Sequence, residues 1–230
     1  MSALSDPIAA VIARMQAVAT ELPLSDGVAR FNHLYLEVTR AVDSAAQATT
    51  FEDPGFMTAL DVTFAGLYFN ALDASAAGTP VPRCWAPLVA ARADSRIAPI
   101  QFALAGMNAH INHDLPLALV STYTAQGATP QEDSAQRRDF LKVNDLLATV
   151  EAQVKAEYLT GLVGVADEVL GRIDDVVAMW SITEARNAAW THAQVLWALR
   201  GEPELTAAFE DTLDGGVGLA SRGLLVPTLL

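Results

Sequence analysis

Apolar residues recur along the chain at intervals of three and four, the period of an amphipathic helix, and no stretch alternates strictly between apolar and polar residues. Start and stop signals divide this pattern into about eight helices. The predicted helices cover approximately residues 7–22, 26–49, 54–78, 85–94, 97–116, 129–159, 165–180 and 181–199, and a short one follows near 203–213. We therefore predict an all-α fold, a multi-helix bundle of about eight helices with no sheet.

The boundaries follow from local chemistry. Asp6 and Asp53 each precede a proline, which is the usual order of an N-cap and a first helical residue. Thr129 and Glu132 are spaced as a capping box, and Pro116 is predicted to kink or end its helix. The stretch from about residue 215 is rich in glycine and is predicted to be an irregular tail. Because no repeat or linker interrupts the pattern, residues 1–230 are predicted to form a single domain.

Composition restricts the classes of partner. Hydrophobic residues make up 52% of the chain and charged residues 18%, which favours a large core and leaves apolar surface for a pocket or a homodimer contact. The 27 acidic and 14 basic residues give a formal net charge of −13. An acidic surface repels phosphate, so we expect neither nucleic acid nor an anionic membrane as partner.

The single cysteine, Cys84, cannot form an intramolecular disulfide and has no partner cysteine for a metal site. We expect it to be a packing residue in a reducing compartment. The N-terminus shows no basic segment followed by an apolar segment, so no signal peptide is readable, and we predict a cytoplasmic protein.

The most informative segment is residues 107–116, where two of the four histidines share a predicted helix with several polar residues. His110 and Asp114 are four residues apart and therefore lie on one face, with His113 nearby. Imidazole and carboxylate suit zinc, iron or manganese, so His110, Asp114 and, more weakly, His113 are candidate ligands of one divalent metal ion. The alternative is a structural network, because buried polar groups need partners in any case.

Polar residues on other helices could meet this cluster in the interior of a bundle. Asp61 interrupts an apolar helix and is a candidate second carboxylate, and Tyr35 is a candidate for hydrogen bonding to a ligand. The further candidate ligand-binding residues are Asn32, Asn108, Asn112 and Asn144. His33 recurs with charged residues at helical spacing, which favours an exposed face.

Known helical hydrolase patterns match only in part. His113 and Asp114 form the adjacent dyad of metal phosphohydrolases of the HD type, which also require a remote histidine such as His33. The spacing from His110 to Asp114 occurs in helical zinc phospholipases, whose further histidines are missing here. Neither a Glu-x-x-His pair nor a nucleotide-binding glycine loop occurs.

Four segments together, residues 31–35, 60–65, 101–112 and 139–144, resemble an uncharacterised, mainly actinobacterial family that carries a domain of unknown function. The resemblance extends over nearly the whole chain. It implies no reaction, but it directs attention to the positions that match the family's segments: Asn32, Asp61, Asn108, His110, Asn112, Asp114 and Asn144.

The sequence therefore predicts an enzyme that acts on a small, largely apolar molecule between helices. His110 would be the metal ligand or the general acid/base, Asp114 would orient it or share the metal, and Asp61 would be a second carboxylate. Two alternatives stay open: a non-catalytic binding or assembly protein with a buried polar network, and an HD-like metal phosphohydrolase.

Overall fold

The computed structural model describes residues 6–47, 51–160 and 181–228, and for residues 45–47 and 148–160 it describes the backbone only. In these ranges all regular structure is helical, which confirms the predicted all-α class. The predicted helix over residues 165–180 lies outside the described residues. The α-helices are α1 Pro7–Glu21, α2 Gly27–Gln47, α3 Pro54–Ala77, α4 Ala86–Ala91, α5 Pro99–Ala109, α6 Leu115–Ala125, α7 Ala135–Thr160, α8 Ile182–Leu199 and α9 Pro203–Leu224.

Helix α5 is the centre of the bundle. Every residue from Ile100 to Ala109 is buried, including the polar Gln101 and Asn108, and the remaining residues of the helix are apolar on all sides. Helices α2 and α9 pack against it, while α3 and α8 pack against α6, which follows it. Gly106 allows the close approach of α2, because a Cβ atom there would lie 2.4 Å from Cγ of Phe31.

The caps predicted at Asp6 and Asp53 are present: their carboxylates accept hydrogen bonds from the backbone N–H groups of Ile8 and Phe56, both at 3.0 Å. The capping box predicted at residue 129 is wrong. Helix α7 begins at Ala135, and Ser134 Oγ caps it by accepting a hydrogen bond from Arg137 N. A tertiary contact holds Glu132 instead, because its carboxylate accepts a hydrogen bond from the α8 indole of Trp190 at 2.7 Å.

The prediction of an irregular tail from residue 215 is also wrong, because α9 continues to Leu224. Gly218 permits close packing here. A Cβ atom at Gly218 would lie 2.4 Å from the carbonyl oxygen of Arg83, and one at Gly215 would lie 3.4 Å from the Arg83 guanidinium. Glycine lowers intrinsic helix propensity, but here it lets the helix lie directly on the segment before α4.

No helix in the described ranges contains a stretch long and apolar enough to cross a bilayer.

Candidate functional site

A short π-helical segment, His110–Asp114, joins α5 to α6 and carries the central polar cluster. Its Leu115 N–H bonds to the carbonyl of His110, five residues earlier. Pro116 explains this widening, because it has no N–H to offer the carbonyl of Asn112 and its ring would clash there in a regular α-helix. Pro116 therefore interrupts the α-helical pattern, as predicted, but the chain stays helical to Ala125. Isolated π-turns of this kind are frequent at functional sites.

The carboxylate of Asp114 is the hub of the cluster. It is 2% exposed and accepts three hydrogen bonds. His110 Nδ1 and the Trp85 indole N–H both bond to Oδ2 at 3.0 Å, and His113 Nδ1 bonds to Oδ1 at 2.7 Å. Because an ionised carboxylate can only accept, the proton of each imidazole lies on Nδ1 in these bonds. The cluster thus fixes the orientation of both rings.

Burial has the largest effect on the pKa of His110 and lowers it, although the hydrogen bond and the charge of Asp114 oppose this change. Burial would raise the pKa of Asp114, but the hydrogen bonds from the two histidines hold it below its usual value. For His113, burial is outweighed by Asp114, Asp214 and Glu210, so its pKa is raised. At neutral pH His110 is therefore a neutral imidazole beside an ionised carboxylate.

The ring of His110 is packed among aromatic side chains. It stacks on Phe64 with 3.5 Å between ring centroids and 5° between planes, and Tyr35 lies edge-on at 4.5 Å. Its Nε2 atom is buried and has no hydrogen-bond partner among the residues described. Since Nδ1 carries the proton, this unpartnered nitrogen presents a lone pair.

His110 faces an apolar cavity between α2, α3, the π-helical segment, α7 and α8. The cavity volume is about 70 Å³, several times what one water molecule requires, so it suits a molecule of a few non-hydrogen atoms. Its walls are mostly aliphatic and aromatic, with a few polar groups that converge on it. Apolar pockets with a few such groups are typical of binding sites for small molecules.

Two of the predicted site residues, Asp61 and Tyr35, also line this cavity. Asp61 Oδ2 and the Tyr35 hydroxyl are buried; within the described part of the chain Asp61 Oδ2 has no hydrogen-bond partner, whereas Thr39 lies near the Tyr35 hydroxyl. Burial, followed by the charge of Asp43, raises the pKa of Asp61 to about 7, against an opposing contribution from Arg186. Burial and the charges of Asp61 and Asp114 raise the pKa of Tyr35 well above its usual value. Near neutral pH both groups can therefore donate a proton to a hydrogen bond.

Arg186 is a cavity residue that the sequence reasoning missed. It is 6% exposed, and its Nε donates to Asn144 Oδ1 at 2.6 Å while one terminal nitrogen donates to the carbonyl of Phe140 at 3.1 Å. Burial lowers its pKa to about 9, which leaves it charged at neutral pH. Asn144 thus holds Arg186 at the cavity wall. The signal available in the sequence was a single arginine among the apolar positions of α8.

The other predicted asparagines make contacts between or along helices. Asn32 donates to the carbonyl of Met15 at 2.9 Å and accepts from the Tyr68 hydroxyl at 3.1 Å, which joins α1, α2 and α3. Asn108 donates to Val217 O and Ser221 Oγ on α9, at 3.0 and 2.9 Å, and accepts from Asn112. None of the three lines the cavity.

His113 belongs to a second group on the other side of Asp114. Its Nε2 lies 3.7 Å from Asp214 Oδ1 on α9, and this oxygen accepts a hydrogen bond from the Cys84 backbone N–H at 2.8 Å. Cys84 is fully buried. His33, the remote histidine that an HD-like mechanism would need, is exposed on α2.

The fold and the site define a class of protein: an all-α bundle with a buried histidine–carboxylate pair beside an apolar cavity. The chain belongs to the family described as "Family of unknown function (DUF5995)", whose model matches residues 8–227. The predicted membership in an uncharacterised family is thereby confirmed. Comparisons with curated proteins and with solved structures found no match.

Proposed function

We propose that this protein is an enzyme that transfers protons on a small, largely apolar carbonyl compound held in the central cavity, with His110 as general base. One observation carries the proposal: His110 Nε2 is buried and unpartnered at an apolar cavity, while Asp114 holds the ring proton on Nδ1. A neutral imidazole oriented by a carboxylate is a suitable base at neutral pH.

The other polar groups at the cavity suit the charge that such a reaction develops. Tyr35 and protonated Asp61 would donate hydrogen bonds to the carbonyl oxygen of the substrate, and the charged Arg186 would balance the forming enolate. His110 Nε2 removes a proton from the adjacent carbon. The imidazolium then returns a proton to the same or a conjugated carbon, so the net reaction is an exchange or an isomerisation and the base is regenerated.

The same geometry favours acid–base chemistry over a metal shared by His110 and Asp114. Asp114 contacts Nδ1, whereas the free lone pair is on Nε2, at the opposite side of the ring. An ion bound to Nε2 would therefore not reach Asp114. Asp114 is accordingly a positioning residue, which fixes the tautomer of His110 and supports its basicity.

A second candidate function is binding without turnover. It is favoured by the contacts of Asn32, Asn108 and Asn112, which are all made within the bundle. In this case the cavity would hold a ligand, and the polar cluster would specify the packing of the helices.

The test is proton exchange in D2O. The protein is incubated with acetone, cyclopentanone or 2,4-pentanedione, and loss of the proton signals next to the carbonyl is followed by NMR. We expect exchange above the buffer rate with at least one ketone, and a fall of about 10²- to 10⁴-fold in His110→Gln. Asp61→Asn tests whether the protonated carboxyl group donates a hydrogen bond to the carbonyl oxygen of the ketone.

The matched control is His33→Gln, which removes an exposed imidazole and should leave the rate unchanged. Equal exchange by wild type and His110→Gln would contradict the proposal. Binding of a ketone without exchange, seen as a shift of the His110 nitrogen signals, would support the binding protein instead.

A further inference from the structure

Three potential metal ligands from distant parts of the chain meet beside Asp114. Cys84 lies before α4, His113 lies on the π-helical segment, and Asp214 lies on α9. Each offers one ligand atom, and the three atoms lie within 4.8 Å of one another. We propose that Cys84, His113 and Asp214 bind one zinc ion, at a site separate from the cavity of His110.

The donor set and its spacing suit zinc. Zinc accepts thiolate, imidazole and carboxylate ligands at about 2.0–2.3 Å, so two ligand atoms at a tetrahedral ion lie roughly 3.3–3.8 Å apart. The 3.7 Å between His113 Nε2 and Asp214 Oδ1 already falls in this range. Movement of the thiol by about an ångström would complete the arrangement.

Groups around the three ligands hold them in position. His113 Nδ1 donates to Asp114 Oδ1 at 2.7 Å, which leaves Nε2 to face Asp214. A carboxylate behind a ligating histidine is the usual arrangement around protein-bound zinc. On the other side, Asp214 Oδ2 accepts hydrogen bonds from the backbone N–H and the Nε of Arg83, at 3.1 and 3.2 Å.

The local charge favours a cation. Asp114 and Asp214 both contact the His113 ring, and Glu210 lies one turn before Asp214 on α9 and acts electrostatically on the same ring. A divalent ion would compensate these carboxylates and a deprotonated Cys84 thiol, and the thiol proton would pass to solvent on binding. Glu210 or a water molecule could supply the fourth ligand.

The proposal also gives a role to Gly218 of α9. Gly218 leaves room for the Arg83 carbonyl, 2.4 Å from where its Cβ would be, and this close packing brings Asp214 to the backbone of Cys84. Since Asp114 bonds to both histidines, the zinc site and the cavity would share one carboxylate.

The test uses the full chain without a histidine tag, stripped with chelator at pH 7.5 and titrated with Co²⁺ and Zn²⁺. Cobalt bound through Cys84 should give a thiolate-to-metal charge-transfer band in the near ultraviolet that saturates at one ion per chain. Zinc should displace the cobalt. The charge-transfer band should be absent in Cys84→Ser, and binding should weaken by about 10- to 100-fold or more in His113→Gln and Asp214→Asn.

His110→Gln discriminates between the two possible sites. It should retain the band, because His110 is not a ligand here, and His33→Gln should behave like wild type. Failure of wild type to bind one cobalt ion, or a band that survives in Cys84→Ser, would overturn the proposal. So would loss of binding in His110→Gln but not in His113→Gln. The wild-type titration needs no variant to fold, and its result is independent of any ketone exchange.

Discussion

His110 and Asp114 form a buried pair in which the ring Nδ1 lies 3.0 Å from a carboxylate oxygen. The pair is held at the point where α5 widens into the π-helical turn. Because Trp85 donates to the same oxygen, Asp114 cannot turn away without leaving an indole N–H unpaired. The orientation of the His110 ring, and with it that of the free Nε2 lone pair, therefore depends on three side chains and not on one rotamer.

Replacement of Asp114 by asparagine should lower the basicity of His110 without changing its tautomer. The indole of Trp85 can only donate, so the amide oxygen must take the side shared by Trp85 and His110. The ring proton then stays on Nδ1, but the negative charge that stabilises the imidazolium is lost. We expect a still lower pKa of His110 and ketone exchange reduced by at least about 10-fold.

Nitrogen chemical shifts of His110, followed against pH, measure both the tautomer and the pKa. Asp145→Asn removes an exposed carboxylate from α7 and is the control. An unchanged pKa of His110 in Asp114→Asn would mean that the carboxylate does not support the base.

The sequence predicted those parts of the site that depend on local spacing. A separation of four residues placed His110 and Asp114 on one face, and a carboxylate inside an apolar helix identified Asp61. Two other features, the hydrogen bond that holds Arg186 on Asn144 and the one between Cys84 and Asp214, span 42 and 130 residues along the chain. Such contacts depend on how the helices pack, which no local period encodes.

For the asparagines, the sequence predicts the position of a polar group but not its partner. A buried amide needs partners whether it binds a ligand or a neighbouring helix, so its position in an apolar helix cannot distinguish the two. Asn108 is committed to α9, whereas Asn144 reaches the cavity only through Arg186. The prediction of an irregular tail fails for a related reason. Low helix propensity is a local property of the glycine-rich segment, whereas the packing against Arg83 that favours a helix there is a tertiary contact.

Asp61→Asn should flatten the pH dependence of stability. The pKa of Asp61 is about 7 in the folded protein, against 3.8 for the ordinary group, so the folded state binds the proton more tightly. The resulting stabilisation is complete below pH 3.8 and is lost as pH rises through 7. We expect wild type to lose on the order of 3 kcal/mol relative to Asp61→Asn between pH 4 and pH 7.5.

Urea unfolding of both proteins across this pH range measures the difference. Asp43→Asn is the intermediate case, because the charge of Asp43 is the second cause of the raised pKa and burial is the first. It should remove only part of the slope. Parallel stability curves for wild type and Asp61→Asn would show that Asp61 ionises normally in the folded protein.

Gly218→Ala should destabilise the protein, and Gly216→Ala should not. A Cβ atom at position 218 would lie 2.4 Å from a backbone oxygen, so α9 or the segment before α4 must move. Nothing lies within 4 Å of a Cβ atom at position 216, which is exposed on the same helix. We expect a loss of about 1–3 kcal/mol in the first variant and a gain of about 0.5–1 kcal/mol in the second.

Thermal unfolding followed by circular dichroism compares the two glycine variants directly. Similar shifts in both would show that α9 does not pack closely on Arg83. The same variants bear on the zinc site, because displacement of α9 would also carry Asp214 away from Cys84.

Enlarging a side chain should be tolerated at the cavity and costly elsewhere in the core. Leu60 is 4% exposed and lines the cavity. Leu119 is 1% exposed and does not line it. In Leu60→Phe the added atoms can enter free space of about 70 Å³, so we expect a stability change within about 1 kcal/mol. In Leu119→Phe they have no such space, and we expect a loss of about 1–3 kcal/mol.

Because the filled cavity would exclude the ketone, exchange should disappear in Leu60→Phe although His110, Asp114 and the fold are unaltered. Urea unfolding and the D2O assay on the same samples measure both effects. Retained exchange in a folded Leu60→Phe protein would place the reaction outside this cavity.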